Sequence, residues 1–204
     1  AAAFLLGRAS FAGGIMPFGT AFYACTLGTH INKALTYIFA LLGMLSAGGG
    51  EQAYTGAAAM LLLGVINIPL KRVERISVYK LALISFAAVL IPNLIIISLQ
   101  GFLMYDLLKS LIYSISVFAM VFVFKRVTNL IDGLKSKYEI SSEDRVSIAI
   151  ISALALSGLA DITILGIEAK NVISVLVILV FSHKYGAAIG SASGAVIGLI
   201  VSIS

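Results

Sequence analysis

The sequence predicts an all-α protein, a polytopic bundle of transmembrane helices with about eight spans. Three observations carry that expectation. Of the 204 residues, 60% are apolar and 11% charged, and the mean hydropathy is +1.09; ordinary soluble domains carry about 25% charged residues. Apolar runs of about 15 to 20 residues alternate with short charged connections. The basic residues also gather in every second connection, as they do when Lys and Arg stay on the cytoplasmic side. The net charge of +5 and pI of 9.4 do not indicate nucleic acid, since the cations sit between apolar runs instead of lining one face. The single cysteine, Cys25, excludes a disulfide or a thiolate metal cluster within the chain.

Taken in order, the apolar runs place spans at 9–27, 34–47, 53–70, 81–99, 103–124, 146–160, 165–181 and 185–203. The second run and the region 161–181 are short or interrupted enough to be re-entrant. If the segments alternate, the connections 30–33, 71–80, 125–145 and 183–184 fall on one side. They carry every Lys and Arg except Arg8, Lys109 and Lys170. That side is expected to be cytoplasmic. The opposite side holds Glu51, Asp106, Asp161 and Glu168. All of 1–204 then reads as one transmembrane domain, with no soluble domain. Phe4 to Gly7 looks like the tail of an apolar run, and the last residues from Ile197 end within another, so a fragment is expected.

The longest connection, about 125–145, has Val127, Leu130, Ile131, Leu134 and Tyr138 at helical spacing, with Arg126, Lys135 and Lys137 among them. This pattern suits a cytoplasmic amphipathic helix at the membrane surface, able to meet anionic lipid or a protein partner; the alternative is a solvated linker. Ser141 to Asp144 resembles an N-cap followed by acids, so the next helix is expected to start near Val146. In the last span Gly186, Gly190, Gly194 and Gly198 recur every fourth residue. A face so free of side chains suits close helix packing, within one protomer or between copies in a homo-oligomer.

Pro17 and Pro92 lie inside predicted spans and should bend them. Glu51, Asp106 and Glu168 lie near span ends and are expected to be interfacial. Asp161, beside Gly158, Leu159 and Ile162, is the carboxylate that burial within a span would make functional. His30 and His183 are isolated, and no Asp or Glu cluster has metal-ligand spacing. No catalytic residue and no resident metal or cofactor is expected in these residues.

Phe4-Leu5-Leu6-Gly7-Arg8-Ala9, followed by Pro17-Phe18-Gly19 and Ala21-Phe22, resembles the N-terminal membrane domain of the stage II sporulation protein E family of endospore-forming Firmicutes. The basic stretch near 125–137, the isoleucine-rich run from Val146 to Ala160 and the glycine-rich run from Gly186 extend the similarity over most of the chain. The resemblance implies a bundle of about ten spans, followed by a cytoplasmic regulatory segment and a manganese-dependent PPM-type serine phosphatase. In the family that enzyme acts on an anti-anti-sigma factor to activate the forespore sigma factor, and the protein associates with the division-ring protein at the polar septum. None of the family's metal-binding aspartates matches a position here. The chain is therefore expected to be the membrane anchor and assembly region, in contact with membrane lipids and self-associating. The competing expectation is a small-molecule permease or transporter subunit, with Asp161 as its site.

Overall fold

The computed structural model describes residues 2–10, 14–27, 29, 31–48, 50–70, 77–101, 103–133, 141–159, 163–164 and 167–203. These residues form nine helices: α1 (Ala2–Arg8), α2 (Pro17–Thr26), α3 (Lys33–Ser46), α4 (Gly50–Leu70), α5 (Val78–Gln100), α6 (Met104–Gly133), α7 (Ser142–Ser157), α8 (Ala169–Tyr185) and α9 (Ala187–Ile203). A minimal antiparallel ladder pairs β1 (Thr163–Ile164) with β2 (Ile167–Glu168) ahead of α8. The architecture is all-helical apart from that ladder.

Local chemistry sets several of the boundaries. The Asn32 side chain accepts from the amides of Ala34 and Leu35 at 3.2 and 3.3 Å and starts α3. Ser141 and Asp144 form a reciprocal capping box that starts α7, four residues before the expected Val146. Gly101 and Gly186, at φ 98° and 86°, supply the left-handed turns between α5 and α6 and between α8 and α9. Pro17 occupies the first turn of α2, where a missing N–H costs nothing, so the bend expected at this proline does not occur. Pro92 does lie within α5. There the side chain of the next residue, Asn93, donates to the Val89 carbonyl at 2.8 Å.

The short helix α2 is the centre of the fold. Every residue from Pro17 to Thr26 is buried. Phe22 meets Phe124 of α6 edge to face at 5.9 Å, Cys25 Sγ donates to the Val121 carbonyl at 3.4 Å, and Tyr23 meets Tyr37 of α3 at 5.9 Å. Around it, α5 and α6 form an antiparallel hairpin, with Val89 on α5 and Val117, Val121 and Phe124 on α6 fully buried. The last three helices build a smaller cluster of Ala153, Leu156 and Ile197, joined to the rest through α7.

Buried hydroxyls do not interrupt this packing. Thr20, Thr26, Ser85, Ser114, Thr128, Ser157 and Ser193 each donate to a carbonyl three or four residues earlier in the same helix. Such bonds let a polar side chain leave water without a partner elsewhere.

Two helices, over Val78–Leu99 and Met104–Leu130, are long and apolar enough to cross a membrane by length and composition. Only 39% and 33% of their apolar windows are buried inside the protein. Leu83, Ile91, Ile95, Leu99, Leu108 and Ile115 stand exposed on them, as side chains facing acyl chains would. Among the described residues the expected count of about eight spans is not met. A 30 Å hydrocarbon layer needs about 20 residues at a rise of about 1.5 Å. The run 9–27 contains only the 10 residues of α2 in regular helix. Among the described residues the apolar helical stretches Lys33–Ser46 and Ile189–Ile200 are shorter than a full span, and in α4 the described apolar stretch is Ala53–Ile66, within a helix of 21 residues. In the run 9–27, apolar character summed across the break before Pro17 overstated the helical length.

The contact between Phe22 and Phe124 gives a direct test of the centre. Phe124→Ala should lower stability by about 3 kcal/mol, because the vacated space is lined by α2, which cannot collapse into it. Leu99→Ala, at a position 80% exposed, should leave the detergent-solubilised melting temperature nearly unchanged.

Candidate functional site

The residues of the N-terminal motif meet in one place. Gly7 of α1 lies so close to the Ala40 carbonyl oxygen of α3 that a Cβ there would collide with it. In return, a Cβ on Gly43 would collide with the Phe4 carbonyl oxygen and lie 3.0 Å from the Gly7 Cα. Each helix thus offers one carbonyl and one glycine, three residues apart, and the pairs run antiparallel. Backbones approach this closely only where side chains are missing. Gly19 of α2 closes the third side, where a Cβ would stand 3.1 Å from the Gly7 Cα and 2.8 Å from the Met44 methyl. Phe18 is buried in the core beside it.

A fourth helix joins through Gly158, the C-cap of α7, which abuts the Leu5 carbonyl oxygen. Arg8 Nε donates to the Gly158 carbonyl at 2.9 Å. A cation at that position meets a helix C-terminus, where carbonyls lack intrahelical partners and the dipole is negative. Gly7, Arg8 and Gly19 are therefore brought together as a packing junction, with Pro17 and Phe18 buried in the first turn of α2. Sequence reasoning missed Gly43 and Gly158. A glycine in an apolar run is common in such helices, and its partner carbonyls lie on segments distant in sequence.

The glycine stripe of α9 is used unevenly. A Cβ on Gly190 would lie 2.6 Å from the Ser182 Cβ, and one on Gly194 would meet Ile178 at 3.5 Å, so both face α8 in the same chain. Gly186 is the turn residue, and Gly198 has nothing within 4 Å of where a Cβ would stand.

At the other end of the molecule, α6 continues through Gly133, so the described part of the basic stretch is the end of a 30-residue helix. Arg126 pairs there with Asp144 at 3.1 Å, across a side chain 48% exposed and one only 5% exposed. The Asp144 carboxyl is held below the usual carboxylate range, chiefly by the Ser141 amide that donates to Oδ2 at 3.0 Å. The Ser141 hydroxyl and the Arg126 guanidinium add to this, and burial opposes it. Leu130 is buried one turn beyond Arg126. A pocket of about 540 Å³ opens beside this ion pair. Leu134, Lys135, Lys137 and Asp161 lie outside the described residues.

Among the other acids, Asp106 sits in the first turn of α6, and Glu168 precedes α8 with Lys170 Nζ at 3.6 Å. Among the described residues no three His, Cys, Asp or Glu side chains gather to hold a metal ion.

Helices closed on one another by glycine–carbonyl contacts, two of them apolar and long enough to cross a membrane, define an all-helical domain suited to a membrane. The chain belongs to the family described as the SpoIIE N-terminal domain, whose model matches residues 1–204. It is similar to stage II sporulation protein E of Bacillus subtilis (strain 168), with 25% identity over 203 residues. That match covers 98% of this chain and 24% of the relative, so the chain spans about a quarter of the length of the curated relative it matches. No solved structure matches the chain.

The junction and the capping box give separate predictions. Gly7→Ala and Gly43→Ala should each destabilise by about 2 kcal/mol or prevent a monodisperse fold, because the obstacle is a backbone carbonyl that cannot turn aside. Gly198→Ala should be tolerated; comparable melting temperatures for the three variants would remove the junction's special role. The lowered Asp144 carboxyl means that the unfolded chain binds a proton more readily than the folded one. Its contribution is complete above the ordinary carboxylate pKa of about 4 and is lost as the pH falls through that value toward the folded one. Melting temperatures followed from pH 6 to pH 3 should accordingly fall more steeply for the parent than for Asp144→Asn.

Proposed function

We propose that residues 1–204 are the membrane-anchoring and assembly domain of a sporulation protein serine phosphatase. The observation that carries this reading is the family match over the whole chain, taken with the largely lipid-facing hairpin of α5 and α6. In this reading α5 and α6 cross the membrane, and the positive ends at Lys80 and at Lys125 and Arg126 lie in the cytoplasm. The shorter helix α2 packs against the hairpin, and α3 packs on α2 and deepens the bundle. The phosphatase would lie outside these residues, use manganese there, and act on an anti-anti-sigma factor to activate the forespore sigma factor.

Holding such an enzyme at the polar septum, next to the division-ring protein, raises its effective concentration in the membrane plane without any added catalytic contact. Self-association of the bundle would raise it further. The domain's role is then positional. Its own side chains supply packing, orientation and attachment, and the chemistry belongs to another part of the protein.

The test is fractionation of sporulating cells that make the full-length protein or a form lacking residues 1–204. The full-length protein should stay in the carbonate-washed membrane pellet, whereas the truncated form should move to the supernatant and lose its septal enrichment. Retention of the truncated form at the membrane would overturn the anchor reading.

A further inference from the structure

The pocket beside Arg126 lies at the end of the α5–α6 hairpin that the charge bias assigns to the cytoplasm. Its walls combine two chemistries. Val78 and Phe122 are apolar, and Lys125, Arg126 and Asn129 present cations and an amide. Asp144 also lines it, but its oxygens are engaged: Oδ1 accepts from Arg126 and Oδ2 from the Ser141 amide. Lys125 is half-buried and pairs with no carboxylate among the described residues. Among the described lining residues, two cations stand against one engaged carboxylate.

Val78 is also the first residue of α5, so the positive end of a 23-residue helix reaches the same wall. The first bond of the α5 ladder runs from the Leu81 amide to the Ser77 carbonyl at 3.1 Å, and the Ser77 side chain makes no capping bond. The depth of the pocket is marked by a chain of aromatic rings. Tyr79 meets Phe118 at 6.1 Å, and Phe118 meets Phe122 at 5.3 Å, with Tyr79 57% and Phe122 40% exposed. Of these rings Tyr79 is amphipathic, and an exposed tyrosine of this kind sits at the headgroup level of a bilayer. A lysine at that depth lays its stem along apolar surface and lifts its ammonium toward phosphate.

We propose that this pocket is a binding site for the phosphodiester headgroup of an anionic phospholipid, with Lys125 as its principal cation and Asn129 as a further polar contact. Phe122 and Val78 lie against the first acyl carbons. The occupant is a lipid and not free phosphate, because half the lining is apolar and the cavity opens at the level where acyl chains begin. The volume of about 540 Å³ suits a headgroup and not a whole lipid. The inference rests on the membrane reading above.

The test uses the chain reconstituted in nanodiscs of phosphatidylglycerol and phosphatidylcholine in equal parts, with co-purifying lipid counted by native mass spectrometry. The parent chain should retain phosphatidylglycerol in preference. Lys125→Gln should lower that retention about five-fold, the effect of one cation near an anionic surface. Lys125→Arg should restore it, and Lys109→Gln, near the opposite end of α6, should not change it. Equal retention of the two lipids, or of phosphatidylglycerol by parent and Lys125→Gln, overturns the site. Displacement of the lipid by millimolar inorganic phosphate overturns it in favour of a soluble anion. Failure of the parent chain to enter nanodiscs overturns the anchor reading and this site with it, whereas entry without lipid preference overturns the site alone.

Discussion

The structure depends on backbone lying against backbone at α1. Within a bilayer the hydrophobic effect gives no preference for helix–helix over helix–lipid contact, since both surfaces are apolar. Association must come from close packing and from polar contacts that lipid cannot make. The reciprocal placement of Gly7 against the Ala40 carbonyl and Gly43 against the Phe4 carbonyl supplies both. A seven-residue helix has little stability alone, so α1 exists because α2, α3 and α7 surround it. Arg8 and Gly158 then tie the start of the chain to the smaller cluster formed by α7, α8 and α9.

This constraint explains why the bundle can carry so many polar side chains without a polar core. The glycines set the helix spacing, the hydroxyls of Thr20, Ser85 and Ser114 turn back to their own helices, and the space between is filled by Phe22, Phe124 and Met44. Charge is kept to the ends. Arg126 and Asp144 join α6 to the capped start of α7, and Arg145 lies over the Tyr185 ring at 5.5 Å. The result is an apolar body with a charged end.

Much of the helix order was legible in the sequence, since several apolar runs end at polar or glycine residues that also end helices, although α6 runs past the expected end at 124 to Gly133. The runs 34–47, 53–70 and 81–99 correspond to α3, α4 and α5 within a few residues, and Ser141 announced the start of α7. Span number was not legible. Hydropathy adds residues across a break, as it did through the loop before Pro17, but only continuous helix gains height. The expected bend at Pro17 failed for the same reason: a proline in an apolar run can begin a helix as readily as interrupt one. The motif residues Gly7, Arg8 and Gly19 were visible as a resemblance, yet their role needed Ala40, Gly43 and Gly158, which no local pattern links to them. The α9 stripe was legible as a packing surface, but not the fact that Gly190 and Gly194 spend it on α8 while Gly198 is left open.

The length of α6 has a consequence of its own. Its 30 residues rise about 45 Å, some 15 Å more than a hydrocarbon layer is thick. Because the helix is unbroken to Gly133, its final turns share one angular phase with the part that Phe124 fixes against α2. The start of α7, joined to α6 through Arg126 and Asp144, is therefore fixed in direction as well as in position. One residue added within those turns would swing it by about 100° while moving it outward by only about 1.5 Å.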